Sequence, residues 1–169
     1  MSTGNIIFLA GMFVAAICVS ASAFAKRHGD IWSYYHFDGL AFVSGQSLDG
    51  GLFVAVRDQM QPVVVTNPSQ IEANALPTGK GVVAGICYIQ NSGGKLTGNN
   101  GFNPSSGTPV QISGKRADTE VSCGSNGYFV SLLDVGEYVV TAGPARMPVV
   151  VEAGKTTLLS LRTGKRMVD

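Results

Sequence analysis

Charge is what this sequence has least of. Its 12 Lys+Arg and 11 Asp+Glu make up 14% of 169 residues and leave a formal net charge of +1, where an average soluble domain is roughly 25% charged. So neutral a chain has no long-range field to draw in a phosphate backbone, which argues against a nucleic-acid partner. With 45% hydrophobic residues it is also too apolar to stay disordered. Histidine (2), tryptophan (1) and cysteine (3) are scarce. There is no His-Glu-x-x-His, no Gly-x-Ser-x-Gly and no phosphate-cradling glycine loop, so no catalytic residue is assigned and no enzyme activity or cofactor is expected. A Cys–His nucleophile would need the fold to carry either His into range of Cys87 or Cys123. Two cysteines and two distant histidines lack the paired spacing of a zinc site. His28-x-Asp30 and His36-x-Asp38 repeat one short pattern that suits a divalent metal, yet such matches arise often by chance, and two solvated turns explain them equally well. No metal is assigned.

None of the charged residues falls within positions 1–25, and Ile6–Ala25 is apolar or small throughout. Ala23-Phe24-Ala25 ahead of Lys26 has the small-x-small form of a signal-peptidase site. The expectation is a cleaved signal peptide over 1–25 and a secreted, periplasmic or cell-surface protein that meets a membrane only through that segment. The competing reading is an uncleaved anchor held by Lys26 and Arg27. Against it, the Ser- and Ala-rich last third of the run is weakly apolar for a span of about 20 residues. Cys18 follows bulky Ile17 and is not read as a lipidation site. Loss of Cys18 with the signal leaves Cys87 and Cys123, an even count that in an exported chain implies one disulfide. Closing that loop is worth roughly 4 kcal/mol at most by chain entropy. Two buried free thiols are the alternative.

From Lys80 onward, short runs rich in Val, Ile, Tyr and Thr alternate with glycine-bearing turns. Candidate strands are Gly81–Ile89, Pro109–Ser113, Thr119–Cys123, Tyr128–Leu133, Glu137–Ala142, Met147–Glu152 and Thr156–Leu161. Asn126-Gly127 is the pair that tolerates positive φ in a tight turn. Seven strands at this spacing predict an all-β, antiparallel Greek-key sandwich, with no long amphipathic helix. Period-two alternation turns Phe129, Ser131 and Leu133, and Tyr138, Val140 and Ala142, to the core. Val130, Leu132 and Val139 then lie on the opposite face, apolar enough to suggest a cover.

The order of Gly81-Val82-Val83-Ala84-Gly85, Thr108-Pro109-Val110, Asn126-Gly127-Tyr128-Phe129, Gly136-Glu137-Tyr138-Val139-Val140 and a closing Val149–Leu161 hairpin resembles the carboxypeptidase regulatory-like domain, a transthyretin-like sandwich, over residues 80–162. The resemblance implies a module that stabilises, spaces or docks partners and is mostly non-catalytic. The related CnaB-like sandwiches carry an internal Lys–Asn isopeptide bond. Here Lys80 stands near the first strand, but the closing strand Thr156–Leu161 has no Asn to accept it.

Upstream, Ile31–Phe37, Leu40–Val43, Leu52–Val56 and Pro62–Thr66 are further strand candidates, with a short helix expected over Ser69–Ala75. Residues 26–79 form too small a segment for a core of their own. They are expected to pack on the sandwich as a strand-rich extension, or to pair with another copy. Within them, Trp32, Tyr34 and His36 alternate with Ser33, Tyr35 and Phe37. The aromatic cluster Trp32, Tyr34, Tyr35 and Phe37 suits packing, a protein partner or a sugar ring. Residues 90–107 form a long Gly/Asn-rich stretch of a length that is usually functional or flexible. Its Asn99 and Asn100 suit a polysaccharide and Phe102 a stacking platform, while the lack of Asp and Glu makes it a poor calcium loop. Residues 163–169 read as a small basic tail. The function expected is an exported, non-enzymatic module that binds or spaces protein partners in the cell envelope. The alternatives are a fibre subunit assembling by strand addition and a carbohydrate-binding module.

Overall fold

A computed structural model of the chain describes residues 31–47, 49–93, 101–115 and 118–168. The segment 1–25, Cys18, His28, Asp30, Asn99 and Asn100 lie outside the described residues. The described residues are all-β. Strands β1 (Ser33–Phe37), β2 (Phe42–Ser44), β3 (Phe53–Val56) and β4 (Val63–Val65) make one antiparallel sheet in the order β2-β1-β3-β4. Then come β5 (Lys80–Gly93), β6 (Phe102–Pro104), β7 (Pro109–Gly114), β8 (Asp118–Ser122), β9 (Tyr128–Asp134), β10 (Gly136–Ala142), β11 (Ala145–Val151) and β12 (Thr156–Val168). A second sheet runs β11-β10-β7-β8, and a third places β5 between β12 on one side and β6 and β9 on the other.

The second and third sheets face each other across a core of Val83, Cys87, Val110, Ile112, Phe129, Leu133, Val140, Val151 and Leu161, among others. Phe129, Ser131 and Leu133 are buried as their alternation requires, and Val140 and Ala142 likewise. Tyr138 is half-buried against the same core. Its hydroxyl donates to the Asp134 carbonyl at 3.0 Å, tying β10 back to the hairpin that precedes it. Tyr138→Phe is expected to cost about 1 kcal/mol, read as a lower denaturation midpoint with an unchanged m-value.

β5 is the middle of the molecule. Every residue from Gly81 to Tyr88 is buried, because both faces of this strand are covered, and its sequence is accordingly a continuous apolar run with little alternation. One face meets the sandwich core. On the other, Ile86 and Tyr88 pack with Phe37 and Val54 of the first sheet, which forms a third layer. That sheet is itself two-sided: Phe53, Ala55 and Val65 turn away from the sandwich and gather Trp32, Tyr34 and Ile71.

Five features differ from the sequence reading. The pairing of β5 with β12 is parallel, from Thr156↔Val82 to Val168↔Gly93, so the sandwich is not antiparallel throughout. Ser69–Ala75 does not form a helix. A single 3-10 turn occupies Pro68–Gln70, capped by Asn67, and the chain then returns through a Met60↔Ala75 bridge, since Ser and Asn favour local side-chain bonds over helix. The polar stretch 90–107 is partly strand: β5 continues to Gly93 and β6 returns beside it, Tyr88↔Pro104 to Gln90↔Phe102. β12 likewise continues through the stretch read as a tail, with a register shift between Arg162 and Gly164. Neither extension shows hydrophobic periodicity, because at a ladder's end backbone pairing alone holds the strand. Lastly, the third layer covers β5 but leaves Val130 and Leu132 of β9 exposed.

Candidate functional site

A concavity lies at the seam between the first sheet and the sandwich. It is an open cleft of about 640 Å³ lined by His36, Phe37, Asp38, Ser47, Asp49, Gly51, Leu52, Phe102, Pro104, Asn126 and Tyr128. Four chain segments meet there, β6 with Phe102 and Pro104 and three others that arrive for local reasons. β1 ends at Phe37, and Asp38 turns the chain: its Oδ1 accepts from the Leu40 and Ala41 N–H groups at 2.8 and 2.9 Å. The Asp49-Gly50 turn, with Gly50 at φ 67, brings a second carboxylate. The Asn126-Gly127 turn closes the third side. There the Asn126 Oδ1 accepts from Tyr128 N at 3.0 Å, and Gly127 sits at φ 80, with the Cys87 carbonyl only 2.7 Å from where a Cβ would be.

The floor is aromatic. Phe37 stacks edge-on against Phe102 with ring centroids 4.7 Å apart, and meets Tyr88 at the same distance. Phe42 and Tyr128 extend the cluster, 6.2 Å apart. Burial pushes the Tyr128 phenol up to about 12, so it stays neutral. The rim is anionic. Hydrogen bonds from the Ala41 and Leu40 backbone hold the Asp38 carboxyl below the usual carboxylate range, so it keeps its charge in mild acid. His36 donates Nδ1–H to the Gly45 carbonyl at 3.1 Å. No Lys or Arg lines the cleft.

The structure therefore brings together Phe37 and Phe102 with His36 and Asp38 of the second His-x-Asp pattern, and places Trp32, Tyr34 and Tyr35 elsewhere. Trp32 and Tyr34 are on the far face of the first sheet, Tyr34 edge-on to Phe53 at 5.3 Å. Tyr35 borders a smaller depression with Arg57, Asp58 and Thr156. Cys87 and Cys123 are disulfide-bonded with Cα atoms 6.4 Å apart, joining β5 to the residue after β8 across the sandwich core. Lys80 is engaged by Asp134 at 2.7 Å. Among the described residues no group of three or more His, Cys, Asp or Glu is placed to hold a metal, and no helix is long and apolar enough to cross a membrane. Sequence reasoning missed Ser47, Asp49, Asn126 and Tyr128 as cleft residues. Asn126-Gly127 was legible as a turn, but not as one that converges with Asp38 and Asp49.

A second concavity of similar volume opens on the outer face of β7, β10 and β11, around Val139, Pro148 and Val150, with Lys115 and Glu137 paired at 3.1 Å on its border. In comparison with known proteins, the chain matches no family model, no curated protein and no solved structure.

Proposed function

We propose that this protein is an exported, non-enzymatic module that docks a protein partner in the cell envelope, and that the seam cleft receives a basic side chain of that partner. The observation that carries the reading is the cleft itself: an aromatic floor beneath the Asp38 and Asp49 carboxylates, with no Lys or Arg among its lining residues. Aromatic faces and carboxylates together bind a guanidinium or ammonium through cation–π attraction and charge-assisted hydrogen bonds. The Cys87–Cys123 bond supports an oxidising compartment, and with it the signal-peptide reading of residues 1–25. Strands β5 and β7 to β12, ordered β9-β5-β12 and β8-β7-β10-β11, support the transthyretin-like assignment, with β1 to β4 as an added sheet.

A photo-crosslinking amino acid at position 102, introduced in living cells, tests the proposal. The expected result is a discrete protein adduct in the envelope fraction, weakened by salt and lost in the Asp38→Asn/Asp49→Asn variant. Failure to form an adduct, or one indifferent to both substitutions, would sink the docking reading. Hydrolytic turnover abolished by one polar substitution would sink the non-enzymatic one. A carbohydrate ligand would rest on Phe102 alone, since Trp32 packs against the far-face cluster. It predicts glycan binding that salt leaves unchanged.

A further inference from the structure

The sheet edges differ in how they are protected. An edge strand offers unpaired N–H and C=O groups to any other strand, and proteins blunt such edges with short length, charge, proline or bulges. β2, β4 and β6 are three residues each. β8 carries Asp118 and Glu120, and β11 carries Arg146 and Pro148. β12 has its register shift at Arg162 to Gly164. β9 has none of these. It runs seven residues, Tyr128–Asp134, in unbroken register with β5 on one side. It contains no proline, and its one charge, Asp134, is engaged by Lys80 at its end. Its outward side chains Val130 and Leu132 are 42% and 43% exposed, and Val135 in the hairpin that follows is 47% exposed.

We propose that β9 is a self-pairing edge, at which two copies of this chain join antiparallel about a two-fold axis near Ser131. The occupant is argued from the strand's own pattern. Val130 and Leu132 flank Ser131 on the outward face, and Phe129 and Leu133 stand symmetrically about it on the core face. Reversed against itself, the strand sets Val130 opposite the partner's Leu132, apolar against apolar, with no like charges facing each other. The third sheet then continues from one copy into the next, and the exposed apolar pair is covered. Because the same sheet's other long edge, β12, is interrupted by its register shift, the pairing closes as a dimer and does not propagate as a filament. This goes beyond the cleft, whose lining takes in Tyr128 at the start of β9 but none of Val130, Ser131 or Leu132.

Sedimentation of the purified, oxidised full chain at concentrations up to about 100 μM tests this. The unchanged chain is expected to be a dimer at the upper end. Leu132→Lys should raise the dimer Kd by at least about tenfold, and Val130→Lys/Leu132→Lys should leave a monomer. Both substitutions are at exposed positions, and circular dichroism verifies that the fold is kept. Val150→Lys, exposed on another sheet, should dimerise normally. Independently of any variant, amide exchange along β9 should slow as concentration rises. A monomer at all concentrations, an assembly that tolerates the double substitution, filaments, or concentration-independent exchange along β9 would each overturn the proposal.

Discussion

Gly85→Ala is expected to lower the melting temperature by about 10 °C or more. A methyl group there would lie 2.6 Å from the Leu159 carbonyl oxygen of β12 and 2.6 Å from Cε1 of Phe129. Gly85 pairs directly with Phe129 on one side and with Leu159 on the other, so the Phe129 ring lies in the space a side chain would take. β5 is buried on both faces and paired on both edges, which leaves no direction in which it can relax. Overpacking of this kind costs about 1–3 kcal/mol, and more where backbone must move. Two comparisons separate this from a generic glycine effect. Gly101→Ala, whose nearest neighbour would be Asn91 Nδ2 at 3.6 Å, should shift the melting temperature little. Gly85→Ala/Phe129→Leu should recover only the part of the loss due to the ring, since the Leu159 carbonyl remains. Full recovery in the double variant, or a Gly85→Ala protein as stable as the original, would show that the close approach is absent.

The Cys87–Cys123 crosslink is the second large expected effect. Cys87 is fully buried and Cys123 nearly so, at 0% and 3% exposure, and the bond spans 36 residues of sequence between the two sheets. Cys123→Ser should lose about 2–4 kcal/mol, combining the freed unfolded chain with an unpaired thiol and hydroxyl in an apolar core. Cys123→Ala/Cys87→Ala should lose less, because no buried polar group is left unsatisfied. Denaturant titrations of oxidised protein, reduced protein and both variants would establish that order. If reduction left the midpoint unmoved, the crosslink would contribute nothing to stability.

Much of the fold was written locally. Alternation in Tyr128–Asp134 and Gly136–Ala142, each punctuated by glycine, placed β9 and β10 and oriented Phe129 and Val140 inward. Such strands have one wet and one dry face, so their sequence reports their surroundings. β5 lost that signal because both its faces are dry, and its end at Gly93, like that of β12 at Val168, lies beyond any hydrophobic pattern. The cleft was legible only in pieces. Phe37 and Phe102 stood out as aromatics, but they lie far apart in the chain, and Asp49 and Asn126 looked like ordinary turn residues.

The sequence alone determined that this is a β protein with a two-cysteine core, where its turns fall, and which side chains face inward, since each of these follows from side-chain period and backbone freedom within a few residues. Only the tertiary structure decided that the first four strands form a separate sheet over β5, that β12 runs parallel to β5, that three remote turns meet in an acidic, aromatic cleft, and that β9 is left as the open edge. Those are pairings between distant segments, chosen by total burial and by which edges are already occupied, and no short stretch of sequence carries that information.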